Sequence, residues 1–298
     1  MVSPPGSPPT VCVRHPDRAT GLACTRCGRP SCPECLRDAS VGMQCVDCVT
    51  EGRRDVRSAR SAAGVALGAV GRRPLVVPVL VAVNVLVYVA TALDAGSVLE
   101  NSSGAVFTAT SLTPYLVAGG QWWRLVTSGF LHFGPVHLLA NMVALWFIGR
   151  DVESALGRLR FTAVYAVSLM GGSAAVMLAG DPRGAVAGAS GAVFGLMGAL
   201  AVLLRRSRRS PGPAVTIIAI NVVLSFSIPG ISLLAHVGGL VVGGLVTLGL
   251  VYGPGRSRPP VAAAVVVGVL LVLVLAVGFR DAALGPVTCA SLTACYLG

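Results

Sequence analysis

A serine and a histidine in separate hydrophobic segments are the residues of this chain best suited to chemistry. Ser190 stands in the run Gly-Ala-Ser-Gly at residues 188–191, and His236 lies inside another apolar segment. Ionisable groups are costly in hydrocarbon, so one within a membrane segment is a functional hypothesis by default. A serine hydroxyl becomes an effective nucleophile when a base within hydrogen-bond reach removes its proton. The pair therefore predicts serine-type hydrolysis inside a bilayer.

A second pair of polar residues could stabilise the intermediate of such a reaction. His137 and Asn141 are four positions apart in a third apolar segment, which places both on one face of a helix. The tetrahedral intermediate of acyl transfer develops an oxyanion, and hydrogen-bond donors aimed at it accelerate the reaction. The imidazole, the amide and the backbone N–H of Ser190 are suitable donors. The alternative is that His137 and Asn141 only cross-link helices through hydrogen bonds.

The composition is that of a membrane protein. Of the 298 residues, 54% are hydrophobic and 12% are charged, whereas soluble domains carry about 25% charged residues. The net charge of +11 comes from arginines that flank apolar runs rather than from a basic patch interleaved with aromatic side chains. We therefore expect a lipid bilayer as the environment and no nucleic-acid partner.

Seven apolar stretches approach the roughly 20 residues that a membrane-spanning helix needs. Because so many consecutive stretches lack a polar face, a very hydrophobic soluble helical core is excluded. The predicted spans are residues 75–93, 131–149, 161–179, 186–204, 214–230, 232–252 and 261–279.

The arginines also predict how the spans are oriented. Clusters precede the first span and follow the second, fourth and sixth, which puts them all on one side if the spans alternate. The positive-inside rule makes that side the cytoplasm. We expect a multi-pass protein of the cell membrane with a cytoplasmic N-terminus and an extracytoplasmic C-terminus. Ser190 and His236 would each lie about four residues into a span, near the outer face.

The motifs together resemble those of the rhomboid intramembrane serine proteases, over residues 75–252. The matching positions follow the family's order. They are Trp123-Arg124, His137-xxx-Asn141, Glu153-xxx-Gly157, Gly188-Ala189-Ser190-Gly191 and Ala235-His236-xx-Gly239.

This resemblance implies an all-α polytopic fold, with a rhomboid-like six-helix core and one additional C-terminal transmembrane helix. It implies an endopeptidase with a Ser190–His236 dyad, in which Asn141 and His137 assist the oxyanion. Phe194 would stack on the catalytic histidine, and Gly188 would support the dyad. The implied substrates are transmembrane segments of other membrane proteins, and the reaction needs no cofactor.

A cysteine-rich segment near the start of the chain predicts a metal-binding module. Eight ligands occur as four pairs, each with two intervening residues, which suits two tetrahedral Zn²⁺ sites. The paired spacing, the odd number of cysteines and the expected cytoplasmic location oppose a disulfide framework. The ligands are Cys12, His15, Cys24, Cys27, Cys32, Cys35, Cys45 and Cys48.

The order of these ligands resembles a B-box-type zinc finger. That resemblance implies interleaved pairing, with Cys12, His15, Cys32 and Cys35 on one ion and the remaining four cysteines on the other. Sequential pairing of neighbouring pairs stays an alternative. Both ions would be structural, and such a module would bind a cytoplasmic protein partner.

The chain thus divides into four predicted regions. These are a zinc-binding module (1–50), a linker (51–73), a catalytic membrane core (74–252), and a seventh helix with an extracytoplasmic tail (253–298). Cys289 and Cys295 in that tail form a disulfide or remain free thiols. The rival to a protease is a non-catalytic membrane adaptor that binds transmembrane helices and recruits partners through its zinc module. A transporter is disfavoured, because acidic residues are nearly absent from the spans.

Overall fold

The computed structural model describes residues 10–55, 74–227, 231–253, 259–284, 287–289 and 295–297. The chain separates into two compact units, Met1–Ala59 and Arg60–Gly298. Most of the predicted linker lies outside the described residues, and the four predicted domain boundaries stay a prediction.

The first unit is small and is organised around its cysteines. Two antiparallel pairs of short strands are followed by one helix, and six of its seven cysteines are buried. Within residues 10–55, Leu36 is the only aliphatic side chain in the buried core. Segments with so little apolar core commonly need a bound metal ion in order to fold. Its elements are β1 (Val11–Cys12), β2 (His15–Ala19), β3 (Leu36–Asp38), β4 (Met43–Cys45) and α1 (Val46–Asp55).

The second unit is built almost entirely of helices. They run α2 (Val76–Ala95), α3 (Ala105–Thr110), α4 (Pro114–Ala118), α5 (Arg124–Thr127), α6 (Gly134–Leu156), α7 (Arg158–Ala179), α8 (Ser190–Arg206), α9 (Gly212–Ser227), α10 (Leu233–Tyr252) and α11 (Pro259–Leu284). An antiparallel pair, β5 (Val287–Cys289) and β6 (Cys295–Leu297), follows α11. Each of the seven predicted apolar stretches contains a helix, so the prediction of an all-α membrane fold is confirmed.

The helices differ in whether they are long enough to cross a bilayer. Among the described residues, α2, α7, α10 and α11 are long and apolar enough. The segment Arg124–Phe130 and α6 would count as a fifth span, bent by 91° between its two parts. The helices α8 and α9 have 17 and 16 residues. The chain has the helices of a multi-pass membrane protein.

The helices α8 and α10 pack backbone to backbone in the middle of the unit. A methyl group added to Gly239 would collide with the carbonyl oxygen of Gly191, and one added to Gly243 would collide with that of Gly195. Small residues at four-residue spacing let membrane helices approach this closely. This contact brings Ser190, at the start of α8, and His236, in the first turn of α10, to the same end of the helix pair.

A buried carboxylate fixes the position of α2. Glu153 of α6 is 3% exposed, and its two oxygens accept the backbone N–H groups of Leu75, Val76 and Val77 at distances of 2.8, 3.1 and 3.0 Å. The first N–H groups of a helix have no partner within the helix. A carboxylate there also interacts favourably with the positive end of the helix dipole. Glu153 therefore attaches the start of α2 to the far end of α6.

Candidate active site

Ser190 is the first residue of α8, whereas the hydrophobic pattern predicts that it lies about four residues into the helix. The helix cannot include Gly188, because its φ of 139° is far from the value of about −63° in an α-helix. Its N–H is bonded instead to the carbonyl of Ser128 at 2.9 Å. As the first helical residue, Ser190 has a backbone N–H without a partner within the helix. Its hydroxyl and this N–H are therefore both available at the helix end.

All four predicted catalytic residues line one cavity of about 100 Å³. Ser190 comes from α8, His236 from α10, and His137 and Asn141 from α6. The remaining lining residues are Ala140, Ala144, Val193, Phe194, Met197, Asn221 and Ile231. A nucleophile, an imidazole and two donors thus come together from three helices that are distant in sequence.

Two features hold the imidazole of His236 in place. The ring of Phe194 is stacked on it, with ring centroids 4.1 Å apart and planes inclined by 13°. The hydroxyl of Ser225, on α9, lies 2.6 Å from Nδ1 of His236. His236 is 5% exposed and Ser225 is 6% exposed. Phe194 stands where the family resemblance placed a stacking aromatic residue, whereas Ser225 was not identified from the sequence.

The hydroxyl of Ser190 forms no hydrogen bond with His236 within the described part of the chain. Ser190 is half-buried and lines the cavity. In enzymes without bound substrate, catalytic hydrogen bonds are often long or poorly aligned and tighten only when the substrate binds. The arrangement has the components of a Ser–His dyad in an open geometry.

The backbone fixes which nitrogen of His137 can donate. The N–H of Phe133 donates to Nδ1 of His137 at 3.2 Å, so Nδ1 must be unprotonated in the neutral ring and Nε2 must bear the proton. A methyl group added to Gly188 would lie 3.1 Å from Nε2 of His137 and 3.4 Å from Oγ of Ser190. His137 therefore directs an N–H donor toward the space beside the serine.

Asn141 contributes a second donor from the same face of α6. One hydrogen of its amide donates to the carbonyl of His137 at 3.0 Å, within the helix. The amide carries two hydrogens, so the other is free to donate into the cavity. The amide is thus held by its own helix while it faces the same cavity as Ser190.

Asn101 is a further positioning residue that the sequence did not reveal. Its amide nitrogen donates to Thr91 of α2 at 3.0 Å and to the carbonyl of His132 at 2.9 Å. Its amide oxygen accepts the N–H of Gly134, the first residue of α6, at 3.0 Å. Asn101 is fully buried and joins α2 to the start of the helix that bears His137.

In the first unit, the predicted metal ligands form two clusters. One contains Cys12, His15, Cys32 and Cys35, and the other contains Cys24, Cys27, Cys45 and Cys48; within each, the ligand atoms lie within 4.8 Å of one another. This is the interleaved grouping, not the sequential one.

The spacing within the clusters suits a tetrahedral ion. Nδ1 of His15 lies 3.4 Å from Sγ of both Cys32 and Cys35, and Sγ of Cys27 lies 3.8 Å from Sγ of Cys45. Tetrahedral Zn²⁺ with bonds of about 2.3 Å separates its sulfur ligands by about 3.8 Å. Each cluster could hold one metal ion without rearrangement.

The thiols of these clusters differ in how readily they ionise. Burial raises the pKa of Cys35 to about 11 and that of Cys48 to about 12. Backbone N–H groups, chiefly those of Cys32 and Cys45, lower the pKa of Cys12 and of Cys24 to about 6. Because metal ligation requires thiolates, binding of a metal ion must release protons from Cys35 and Cys48.

Cys289 near the end of the chain is disulfide-bonded, whereas the seven cysteines of the first unit are free. Cys295 lies opposite Cys289 in the register of β5 and β6. Of the two alternatives expected for the C-terminal cysteines, a disulfide or free thiols, the structure has a disulfide at Cys289.

Comparison with known proteins places this arrangement in a family. The model of the rhomboid domain matches residues 119–253. Rhomboid protease GluP of Bacillus subtilis (strain 168) is 36% identical over 170 residues, 55% of this chain and 32% of that protein. RHOMBOID-like protein 4 of Arabidopsis thaliana is 36% identical over 146 residues, 47% of this chain and 36% of that protein.

The chain thus spans about a third of the length of these two relatives. Protein YdcA of Bacillus subtilis (strain 168), named as a candidate rhomboid protease, is 36% identical over 136 residues, 44% of this chain and 68% of that protein. The matched region contains Ser190, His236, His137 and Asn141. This chain, a multi-pass membrane protein with a separate cysteine-rich unit, belongs to the rhomboid family.

Proposed function

We propose that the chain is an intramembrane serine endopeptidase that cleaves transmembrane segments of other membrane proteins. The observation that supports this most is the single cavity lined by Ser190, His236, His137 and Asn141. Membership of the rhomboid family supports an intramembrane protease in general. The assignment of roles to individual residues is part of the proposal.

In the first half of the proposed reaction, Ser190 is acylated by the substrate. His236 takes the proton of the Ser190 hydroxyl, whose oxygen attacks the carbonyl carbon of the scissile peptide bond. The resulting oxyanion accepts hydrogen bonds from Nε2–H of His137, the amide of Asn141 and the N–H of Ser190. The imidazolium then donates its proton to the leaving amine, and an acyl-enzyme remains.

Water completes the cycle. His236 deprotonates a water molecule that attacks the acyl-enzyme, and collapse of the second intermediate releases the new carboxyl end and restores Ser190. Hydrolysis therefore requires a wet cavity. The cavity of about 100 Å³ has room for a few water molecules.

The substrate must present an accessible carbonyl carbon to Ser190. A helix hides its peptide groups in intrahelical hydrogen bonds, so cleavage should favour transmembrane segments that unwind easily, near Gly or Pro. The substrate would enter from the bilayer. The expected orientation, with a cytoplasmic N-terminus and an extracytoplasmic C-terminus, would place the site near the outer leaflet.

The two cysteine clusters are proposed to hold two structural Zn²⁺ ions. Four protein ligands fill a tetrahedral shell and leave no position for a catalytic water molecule. The ions would stabilise the fold of the first unit, and the reaction would proceed without them. The module would then recruit a cytoplasmic protein partner to the protease.

One observation favours the alternative of a non-catalytic membrane adaptor. Within the described residues, the hydroxyl of Ser190 and the imidazole of His236 are not hydrogen-bonded to each other. An adaptor would bind transmembrane helices and would need neither residue. The retention of a nucleophile, a stacked imidazole and two oriented donors in one cavity favours the enzyme.

A direct cleavage assay distinguishes the two. The purified full chain in detergent is mixed with a fluorescent transmembrane peptide that contains a central Gly-Pro pair. We expect cleavage by the parent and by Ser168→Ala, a buried serine on α7 outside the cavity, and a loss of at least about 1,000-fold in Ser190→Ala and His236→Ala. Equal cleavage by all four proteins would refute the dyad. Binding of the peptide without cleavage by any of them would support the adaptor.

A further inference from the structure

We propose that Ser225 is a positioning residue that fixes the tautomer of His236, a role that rests on the proposed function of His236 as the general base. Ser225 lies on α9, and its hydroxyl contacts Nδ1 of His236 at 2.6 Å. In many serine hydrolases an acidic third residue holds the histidine. Here the neutral hydroxyl of Ser225 contacts the ring nitrogen, Nδ1, that the acidic residue contacts in those enzymes.

The direction of this hydrogen bond follows from a second contact of the same hydroxyl. Oγ of Ser225 also lies 2.7 Å from the carbonyl oxygen of Asn221, one turn earlier in α9. A carbonyl oxygen can only accept, and two oxygens at this distance repel each other unless a proton lies between them. The single proton of the hydroxyl must therefore point at Asn221.

The hydroxyl of Ser225 has then only lone pairs to offer His236. Nδ1 of the imidazole must carry a hydrogen and donate it, which leaves Nε2 of the neutral ring unprotonated. An unprotonated Nε2 is what a general base needs in order to accept the proton of Ser190. The back-bond within α9 thus decides which nitrogen of His236 is basic.

The packing around the ring leaves little freedom for another arrangement. Phe194 covers one face of the imidazole. Ser232 caps α10 by accepting the N–H of Ala235 at 3.2 Å, which fixes the first turn in which His236 stands. Since Ser225 is almost fully buried, water does not readily replace its hydroxyl as the acceptor for Nδ1–H.

The two cavity histidines are consequently held in opposite tautomers. His137 receives a backbone N–H at Nδ1 and so presents Nε2–H, a donor. His236 donates from Nδ1 to Ser225 and so presents a bare Nε2, an acceptor. A histidine therefore serves as oxyanion donor on α6 and as general base on α10. The polar group that contacts Nδ1 of each ring decides which of its nitrogens carries the proton.

The test combines nitrogen NMR with kinetics. The chain has four histidines, so ¹⁵N-histidine labelling gives few signals, and those of His236 are identified by their loss in His236→Ala. We expect the parent to show a protonated Nδ1 and an unprotonated Nε2. Ser225→Ala should show both tautomers, with kcat lowered about tenfold, the effect of one neutral hydrogen bond, and KM unchanged. Ser225→Thr, which keeps the hydroxyl, should restore the single tautomer and the kcat of the parent.

Ser168→Ala is the matched control, because Ser168 is a buried serine that also donates to the carbonyl four residues earlier, at 2.6 Å, but does not line the cavity. It should leave the spectrum of His236 and kcat unchanged. A parent with the proton on Nε2, or a Ser225→Ala spectrum identical to the parent's, would overturn the inference. If no protein cleaves the peptide, the proposed function fails, while the tautomer still decides the role of Ser225. Should Ser225→Ala not fold, the parent and Ser225→Thr spectra decide it.

Discussion

Replacing Gly239 by alanine should damage the candidate active site without touching any of the side chains proposed to be catalytic. The added methyl group would meet the carbonyl oxygen of Gly191 on the facing helix. Non-bonded carbon and oxygen atoms need about 3.5 Å, so α8 and α10 must separate by on the order of 1 Å. This is a backbone contact, which no side-chain rotation can relieve.

The expected effects are large on activity and moderate on stability. Overpacking of this kind costs about 1–3 kcal/mol of unfolding free energy. A displacement of about 1 Å between reacting groups costs about 100-fold in rate. Because Ser190 and His236 lie on the two helices that are pushed apart, we expect kcat/KM in the peptide assay to fall by about 100-fold.

Gly244→Ala, in the same helix, is the matched control. A methyl group there has no atom within 4 Å, and replacing a helical glycine by alanine stabilises a helix by about 0.5–1 kcal/mol. It should leave kcat/KM unchanged. Unfolding is followed by circular dichroism with increasing SDS in mixed micelles. If Gly239→Ala retained both the activity and the stability of Gly244→Ala, the close contact of α8 and α10 would be disproved.

Two further predictions concern Glu153 in the membrane unit and the cysteine clusters in the first unit. Glu153→Ala should lower the unfolding free energy of the membrane unit by about 3–5 kcal/mol, measured by the same SDS titration. The reason is that buried backbone N–H groups, including that of Val77, lose a charged acceptor. A change below about 1 kcal/mol would contradict this prediction. Removing metal with a chelator should abolish the protease resistance of the first unit, and Cys35→Ser should lower the zinc content from two ions per chain to one. Two ions retained by Cys35→Ser would contradict the cluster assignment.

Local spacing was sufficient to identify much of the candidate site. His137 and Asn141 are one helical turn apart, so any helix places them on the same face. The paired candidate metal ligands of the first unit are likewise separated by only two residues. Such features follow from the covalent geometry of the chain, and the sequence displays them directly.

The start of α8 shows where the hydrophobic pattern was insufficient. Residues 186–189 are small and apolar, so hydropathy extends the span through them. The structure begins the helix at Ser190, because the backbone at Gly188 has a positive φ and is bonded to another loop. Hydropathy measures transfer into lipid and contains no information about φ.

The sequence by itself determined which residue types stand at the site, the succession of apolar helices, and the presence of a cysteine-rich unit with eight candidate metal ligands, since these depend on composition and on spacing along the chain. Only the tertiary structure decided the interleaved cluster grouping, the contact of Gly239 with Gly191, and the bond from His236 to Ser225. Each of these joins residues on different strands, loops or helices. The distance between such elements is set by how they pack together, and packing is a property of the whole fold.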